Sequence, residues 1–516
     1  MKRIVILFTL MVFMVMLTSC SESKSNDAIT IARDVDFNER ISNNESFDNN
    51  RLIDLYKSEL DLDIEYPFTV ESSQYESKLN MLIASGDLPD IMEVNSQQLM
   101  QLILADKIMD LTDVYEKYAN PILKEMLAAD RGLCLESGKK NGKLYGIPQT
   151  NDVTSSGQFI WIRTDWLEYL KLEEPTTIDD LLMIADAFTK QDPDNNSIND
   201  TYALAINKDL FSEMGGIYGF FNSFGAYPNI WIRNENKVIE YGGIAKENKE
   251  ALRVLNQMYE NNQVNLDFVM TGEDEIAELL IANKVGMVYG VSWLPTWPLQ
   301  LVINNNESAD FKAYKIMTYN GNEPKMQLEF PVQTWFCVKK GSKHPEALVK
   351  MLNLFIDKYL NDTSEYIVTE DGTQVFKFAP VYGWPLIDTN HIALSNALEK
   401  KDKSLLDEFF QSAYDRVIEY RNGDRSQWYV NMQEGTLSAK HYCDYYFNND
   451  LFVQDAFYGA ATKGMLDKYD TLLEMQIRTY IEIIMGRKHI DEYDIYVDNW
   501  LENGGKEITD EINKYY

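Results

Sequence analysis

The chain has 516 residues, 45% of them hydrophobic and 12% aromatic, which is material for two domains or one large bilobed body. Its 81 acidic residues outnumber 48 basic ones and give a formal net charge of −33. That balance argues against nucleic acid, whose binding rests on Lys and Arg neutralising phosphates, and against lying flat on an anionic lipid surface.

The first 26 residues decide where the rest resides. Lys2 and Arg3 are a positive start, and Ile4 to Met16 is an apolar run interrupted by one Thr. A permanent span needs about 20 apolar residues, so this run is too short and fits the hydrophobic region of a secretory signal. Leu17-Thr18-Ser19-Cys20 resembles the lipobox of bacterial lipoproteins. That resemblance implies a signal peptide over residues 1–19, lipidation (palmitate among the acyl chains) at Cys20, a solvated tether over 20–28, and a body anchored on the extracellular face of the cell membrane. The alternative is an ordinary secretory signal in which Cys20 is incidental. The other cysteines, Cys134, Cys337 and Cys443, are far apart, and the histidines His344, His391, His441 and His489 are scattered, so no zinc site is expected.

Ile29 to Ala32 suits a first strand, and Arg51 to Leu60 carries Leu52, Leu55, Tyr56 and Leu60 at helical spacing. Asp63 to Val70 reads as a strand and Tyr75 to Ser85 as a helix, stopped by Gly86 and Pro89 before the strand Ile91 to Val94. Helices follow over Ser96 to Met109 and Tyr115 to Leu127, then a hairpin turn at Gly142 to Pro148 and a strand at Phe159 to Ile162. Asp165 opens a short helix, and Thr177 with Asp179 and Asp180 opens another that runs to about Lys190. Such alternation is the pattern of an α/β lobe. The region from Ala413 onward is mostly helical by pattern, as in Leu472 to Met485.

Several short motifs occur in a fixed order: Ser85-Gly86-Asp87-Leu88-Pro89-Asp90-Ile91, Leu111-Thr112-Asp113, Gly146-Ile147-Pro148, Arg163-Thr164-Asp165-Trp166-Leu167, Pro175-Thr176-Thr177, Lys284-Val285-Gly286-Met287 and Lys343-His344-Pro345-Glu346-Ala347. The set resembles the family 1 extracellular solute-binding proteins, the sugar-capturing lipoproteins of ABC importers. The resemblance implies an α/β, two-lobed periplasmic-binding-protein-like fold of type II, with ligand in a cleft between lobes that closes by hinge motion, and a helical C-terminal region. Crossings are expected near 146–153, 287–293 and 331–336. One lobe would hold 29–149 plus 291–329, and the other 155–286 plus 334–516.

In Asp192-Pro193-Asp194-Asn195-Asn196-Ser197-Ile198-Asn199-Asp200-Thr201, oxygens recur at alternate positions. Asp192, Asp194, Asn196, the Ile198 carbonyl and Asp200 can wrap a structural Ca²⁺ at about 2.3–2.6 Å, and the loop resembles the calcium loop of the oligosaccharide-binding members. Asn195 or Ser197 stands where glycine is usual and Thr201 where an acid is usual, so affinity is expected to be weaker. The competing reading is an exposed Asp/Asn-rich turn.

Sugars offer apolar C–H faces to aromatic rings and hydroxyls to polar groups. The candidate ligand residues are Gln149, Asn151 and Asp152 after the first expected crossing, Tyr227 and Trp231 around Pro228-Asn229, Trp293 and Trp297 past the second, and Tyr382 and Trp384 in a turn. Trp161, Trp166 and Trp335 are better read as core. No catalytic residue or catalytic cofactor is expected: there is no GxGxxG after a strand, no HExxH, and no nucleophile elbow. The sequence therefore predicts a monomeric, lipid-anchored binding protein that delivers an oligosaccharide to ABC permease subunits. A surface glycoside hydrolase or lyase using a carboxylate pair is one alternative, and a peptide-binding or sensor-associated lipoprotein is another.

Overall fold

The computed structural model of the protein describes residues 28–35, 45–369, 373–386, 390–406, 408–436 and 438–515. The apolar leader and Cys20 lie outside the described residues. Among those residues no helix is long and apolar enough to cross a membrane.

The first lobe rests on a three-stranded antiparallel sheet in which Val332–Val338 lies between Ile91–Asn95 and Ile147–Thr150. Alternation sorts its side chains to two sides. Ile91, Ile147, Phe336 and Val338 enter one apolar cluster, while Met92, Val94, Trp335 and Cys337 enter another. Helix Arg51–Leu60 buries Leu52, Leu55 and Tyr56 and is capped by Asn50, whose side chain accepts the Leu52 and Ile53 N–H groups. Helix Ser72–Ser85 ends at Gly86, whose φ of 78° is left-handed and free of strain for glycine. Instead of one helix from Tyr115 to Leu127 there are two, Thr112–Tyr118 and Pro121–Ala128, because Asn120 caps the second and Pro121 has no N–H to continue the first.

The second lobe holds a four-stranded sheet in the order Tyr202–Ala205, Val285–Gly290, Phe159–Arg163, Phe311–Tyr314; the first pair is parallel and the others antiparallel. Both central strands are buried at every position. Helix Ile178–Lys190 opens with a reciprocal cap between Thr177 and Asp180. The C-terminal helices Lys463–Ile484 and Glu492–Trp500 add Leu472, Tyr480, Ile483, Tyr493, Tyr496 and Trp500 to this lobe's core. A small helical annex packs Leu394, Leu398, Val417 and Val430 in a cluster of its own.

Lobe membership differs from expectation in two places. The segment 291–329 stays in the second lobe: Val291, Leu294, Leu299, Val302 and Phe311 pack with Phe159, Trp161 and Val288. Phe311–Tyr314 pairs directly with Phe159–Arg163, which holds this segment on the second sheet. Conversely, the chain from 334 does not remain with the second lobe, since Phe336, Leu348, Met351, Phe355, Val375 and Val381 share a core with Ile29, Leu52 and Ile147. The crossings therefore run through 151–158 and 329–331, and the expected one at 287–293 is an internal strand and its exit. A further connection runs through 455–461. Asp455 and Ala456 donate N–H to the Leu328 and Trp231 carbonyls of the second lobe, and Ala461 donates to Ser96 of the first.

Candidate binding site

Where the crossings meet the lobes there is a cavity of about 560 Å³, within the range that holds small ligands. The first lobe contributes Asn95, Ser96 and Gln97 at the start of helix Ser96–Leu104. The crossing contributes Glu329 and Phe330, the first-lobe strand that follows it Val332, Gln333 and Trp335, and the second lobe Asp209, Phe211, Asn229, Ile230 and Trp231. The returning C-terminal segment supplies Asp455, Phe457, Tyr458, Gly459, Ala461, Tyr469 and Asp470. The lobes are tied across it by Gln97 Nε2 donating to Asp470 Oδ1 at 2.8 Å. A second cavity of about 310 Å³ shares Phe457, Tyr458 and Gly459 and is edged by Glu136, Lys139, Lys140 and Asn141.

Aromatic rings form flat pairs on these walls. Phe330 stacks on Tyr458 at 5.3 Å, and Trp231 on Tyr469 at 6.2 Å. Beside them are acids in unusual surroundings. Burial pushes the Glu329 carboxyl up to about 7, with Glu213 and Asp209 adding like-charge repulsion. Burial likewise pushes Asp455 up to about 7, against two backbone N–H groups (Phe457 at 3.0 Å, Trp231 at 3.1 Å) that favour its ionised form. Glu329 adds to that upward push. The Glu329 side chain makes no hydrogen bond among the described residues, and its backbone N–H is held by Ser156 Oγ at 2.8 Å.

Of the residues expected to touch ligand, Trp231 is on the cavity wall, with only 2% of its surface exposed. Tyr227, four residues earlier, is half-buried, and burial pushes its phenol up to about 12. Gln149 is buried in the sheet opposite Thr334, and the Asn151 N–H bonds the Pro331 carbonyl at 2.9 Å. Asp152 is a local cap that accepts the Thr154 N–H at 2.8 Å and the Thr154 hydroxyl. Trp293 donates Nε1–H to Glu213 at 2.7 Å, and Trp293 and Trp297 pack on the second-lobe core. Tyr382 and Trp384 belong to the first-lobe core rather than to the cavity wall: Trp384 lies 4.8 Å from Phe376 and 5.5 Å from Tyr359, and Tyr382 lies under the Arg33 guanidinium. Their turn brings them back onto helix Glu346–Asn361, which the chain reaches only because 334–386 belongs to the first lobe. The cavity acids and Tyr458 and Tyr469 were not singled out in the sequence. Only Pro228-Asn229, already flanked by candidate aromatics, pointed there.

The Asp/Asn loop follows helix Ile178–Lys190. Asp192 accepts the Asn196 and Ser197 N–H groups at 3.0 and 2.9 Å, and Asn196 Nδ2 donates to Asp194 at 2.7 Å and to Asp200 at 3.4 Å. Asp192, Asn195 and Ser197 have φ of 48°, 53° and 67°, so the backbone curls tightly without glycine. Asp194 Oδ1 is buried with no hydrogen-bond partner, and burial with Asp192 and Asp200 nearby raises its pKa. An orphaned carboxylate oxygen among hard oxygen donors is chemistry that a Ca²⁺ would satisfy. Asp200 is ion-paired to Lys284 and would have to share, and the Ile198 side chain is exposed. Among the described residues no three acids or histidines stand close enough to hold a metal as they are.

The family model for bacterial extracellular solute-binding proteins matches residues 50–358. The chain is 24% identical over 462 residues to lipoprotein LipO of Bacillus subtilis (strain 168), covering 87% of this chain and 85% of LipO. It is 25% identical over 484 residues to the polygalacturonan/rhamnogalacturonan-binding protein YtcQ of the same organism, covering 88% and 85%. Among solved structures, the alginate-binding protein AlgQ2 without calcium ion superposes with a TM-score of 0.67 at 13% identity, over 95% of this chain and 98% of that one, a likeness of fold. With more than half its length matched by one family model, and that family's two-lobed fold around an interlobe cavity, this chain belongs to the bacterial extracellular solute-binding proteins.

Proposed function

We propose that the protein captures an oligosaccharide between its lobes and hands it to the permease of an ABC importer, breaking no bond. The observation that carries this reading is the interlobe cavity, with stacked aromatic rings beside carboxylate acceptors, one of which, Glu329, has no hydrogen bond among the described residues. Rings cover the C–H faces of sugars and the acceptors take their hydroxyls. YtcQ and AlgQ2, named for binding polysaccharides, agree with it. The body works as a monomer held at the extracellular face of the membrane by acyl chains on Cys20, in keeping with a relative named a lipoprotein. Asp192, Asp194, Asn196, the Ile198 carbonyl and Asp200 hold a structural Ca²⁺, which supplies positive charge to a loop of like charges and takes no part in capture.

Two carboxyls pushed up to about 7 in one cavity are also what a glycoside hydrolase would need, so the test must read product as well as binding. Thermal unfolding of the chain from Asp27 onward, against an oligosaccharide panel with calcium or chelator, should show a raised midpoint for one sugar class. Mass analysis should show that sugar intact. Shortened sugars would overturn the binding-only reading, and a panel with no response would overturn capture.

A further inference from the structure

We propose that this cavity takes uncharged oligosaccharide units and turns polyuronates away, with Glu329 as the residue that sets the selection. The inference rests on the capture reading above, names the class of sugar, and sets this chain apart from YtcQ and AlgQ2, which are named for binding uronate polymers.

The cavity wall carries Asp209, Glu329, Asp455 and Asp470, and among its described lining residues there is no Lys, Arg or His. A chain of uronates brings one carboxylate per sugar, and each needs a cation or several N–H donors once water is stripped from it. This wall offers acceptors instead. Sugar hydroxyls donate, so an uncharged unit matches it and a uronate meets like charge.

Neither arginine that could reverse this balance, Arg163 or Arg233, is among the described lining residues. Arg163 is 1% exposed and held by Asp165 at 2.6 and 2.7 Å and by Asn283 at 2.7 Å. Arg233 is exposed, with Nη1 donating to the Lys237 carbonyl; its charge reaches the Tyr458 phenol at the cavity edge but not the acids around Glu329. Lys139 and Lys140 edge the neighbouring cavity, where Lys139 is ion-paired to Glu136 at 2.9 Å.

Glu329 is the acid best placed to choose. Asp455 already accepts two backbone N–H groups and Asp470 the Gln97 amide, whereas the Glu329 carboxyl has no hydrogen bond among the described residues. It sits on the crossing between the lobes, next to Phe330 of a stacked pair, where a bound sugar ring would present its rim. Its neighbours Glu213, Asp209 and Asp455 are acids, and the Tyr218 phenol is near. No cation among them would invite a uronate.

The test uses the full-length chain in mild detergent at pH 8 and low salt. Calorimetric titration compares neutral malto-, xylo-, galacto- and fructo-oligosaccharides with oligogalacturonate and oligoalginate of equal length. At least one neutral series should bind, and the uronates should bind at least about tenfold more weakly, the worth of one charge-assisted hydrogen bond. Glu329→Gln should move the neutral-to-uronate ratio about tenfold toward the uronates, and Glu329→Asp should keep it. Unliganded melting of both variants checks the fold; if Glu329→Gln does not fold, Asp209→Asn serves in its place and should move the ratio the same way. Uronates binding the wild type as well as the neutral sugars would overturn the proposal and leave capture standing. An unchanged ratio in folded Glu329→Gln would overturn the role of Glu329. No binding by any saccharide would bring down the capture reading itself.

Discussion

From the first lobe the cavity receives Asn95, Ser96 and Gln97 at one helix start, with Val332, Gln333 and the deeply buried Trp335 from its central strand. From the second lobe and its C-terminal return it receives Phe211, Trp231, Tyr458 and Tyr469 with the acids Asp209, Asp455 and Asp470. The first wall is mainly amide and hydroxyl groups over one buried indole, while the other holds most of the rings and the acids that can choose a sugar's charge. The unequal walls imply that a ligand settles on the second lobe, and that the first closes over it with ties such as Gln97 to Asp470.

Trp231→Ala should have the largest effect. Removing a buried ring costs about 3–5 kcal/mol and takes away the support of Tyr469 on the cavity wall, so denaturant unfolding should show the loss and sugar response should fall sharply. Trp384→Ala, in the first-lobe core, should lower stability but leave sugar affinity in the folded protein nearly unchanged. Equal loss of affinity in both would erase the distinction between the walls.

Next comes pH. Glu329 and Asp455 have folded pKa values near 7, above ordinary values of 4.5 and 3.8. For a raised carboxyl the folded state holds the proton more tightly than the unfolded state. The resulting stability is complete below the unfolded pKa and is lost as pH rises to about 7. Melting should therefore be lower at pH 8 than at pH 5.5 on their account, by roughly 1–3 kcal/mol after discounting for solvent near the cavity. Glu329→Gln with Asp455→Asn should flatten that slope, and a slope unchanged in the double variant would place its cause elsewhere.

A smaller effect is expected at the Asp/Asn loop. With excess calcium, wild-type stability should fall by roughly 1–2 kcal/mol on adding chelator, and Asp194→Ala should melt the same with or without it. Smallest is Gln97→Ala. Losing one exposed cross-lobe hydrogen bond should cost under about 1 kcal/mol in stability and speed ligand release a few-fold in stopped-flow displacement.

Local features were legible in the residues. Arg51–Leu60, the stop at Gly86 and the cap at Thr177 follow from spacing and side-chain chemistry within a few positions. Lobe membership was not, because the run from Val291 to Phe311 is equally apolar whichever sheet it covers, and strand pairing with Phe159–Arg163 decides it. Trp384 and Trp231 both lie beside prolines or turns, yet one meets Phe376 and Tyr359 and the other a cavity. Those partners lie elsewhere in the chain. Nothing marks Glu329 or Asp455 among 81 acids, since their surroundings come from Asp209, Glu213 and each other, over a hundred residues apart in sequence.

The tie from Gln97 to Asp470 spans 373 positions, and the Ser96 carbonyl waits for the N–H of Ala461. A ribosome emits the first-lobe wall early, but no cavity exists until the helix carrying Asp470 has followed. Contacts of such sequence separation form late and slowly. Competence to bind is thus a property of the finished polypeptide: a product cut short by premature termination or proteolysis ahead of Asp455 would carry all four strands of the second-lobe sheet but lack the helices that fill its core and one side of the cavity.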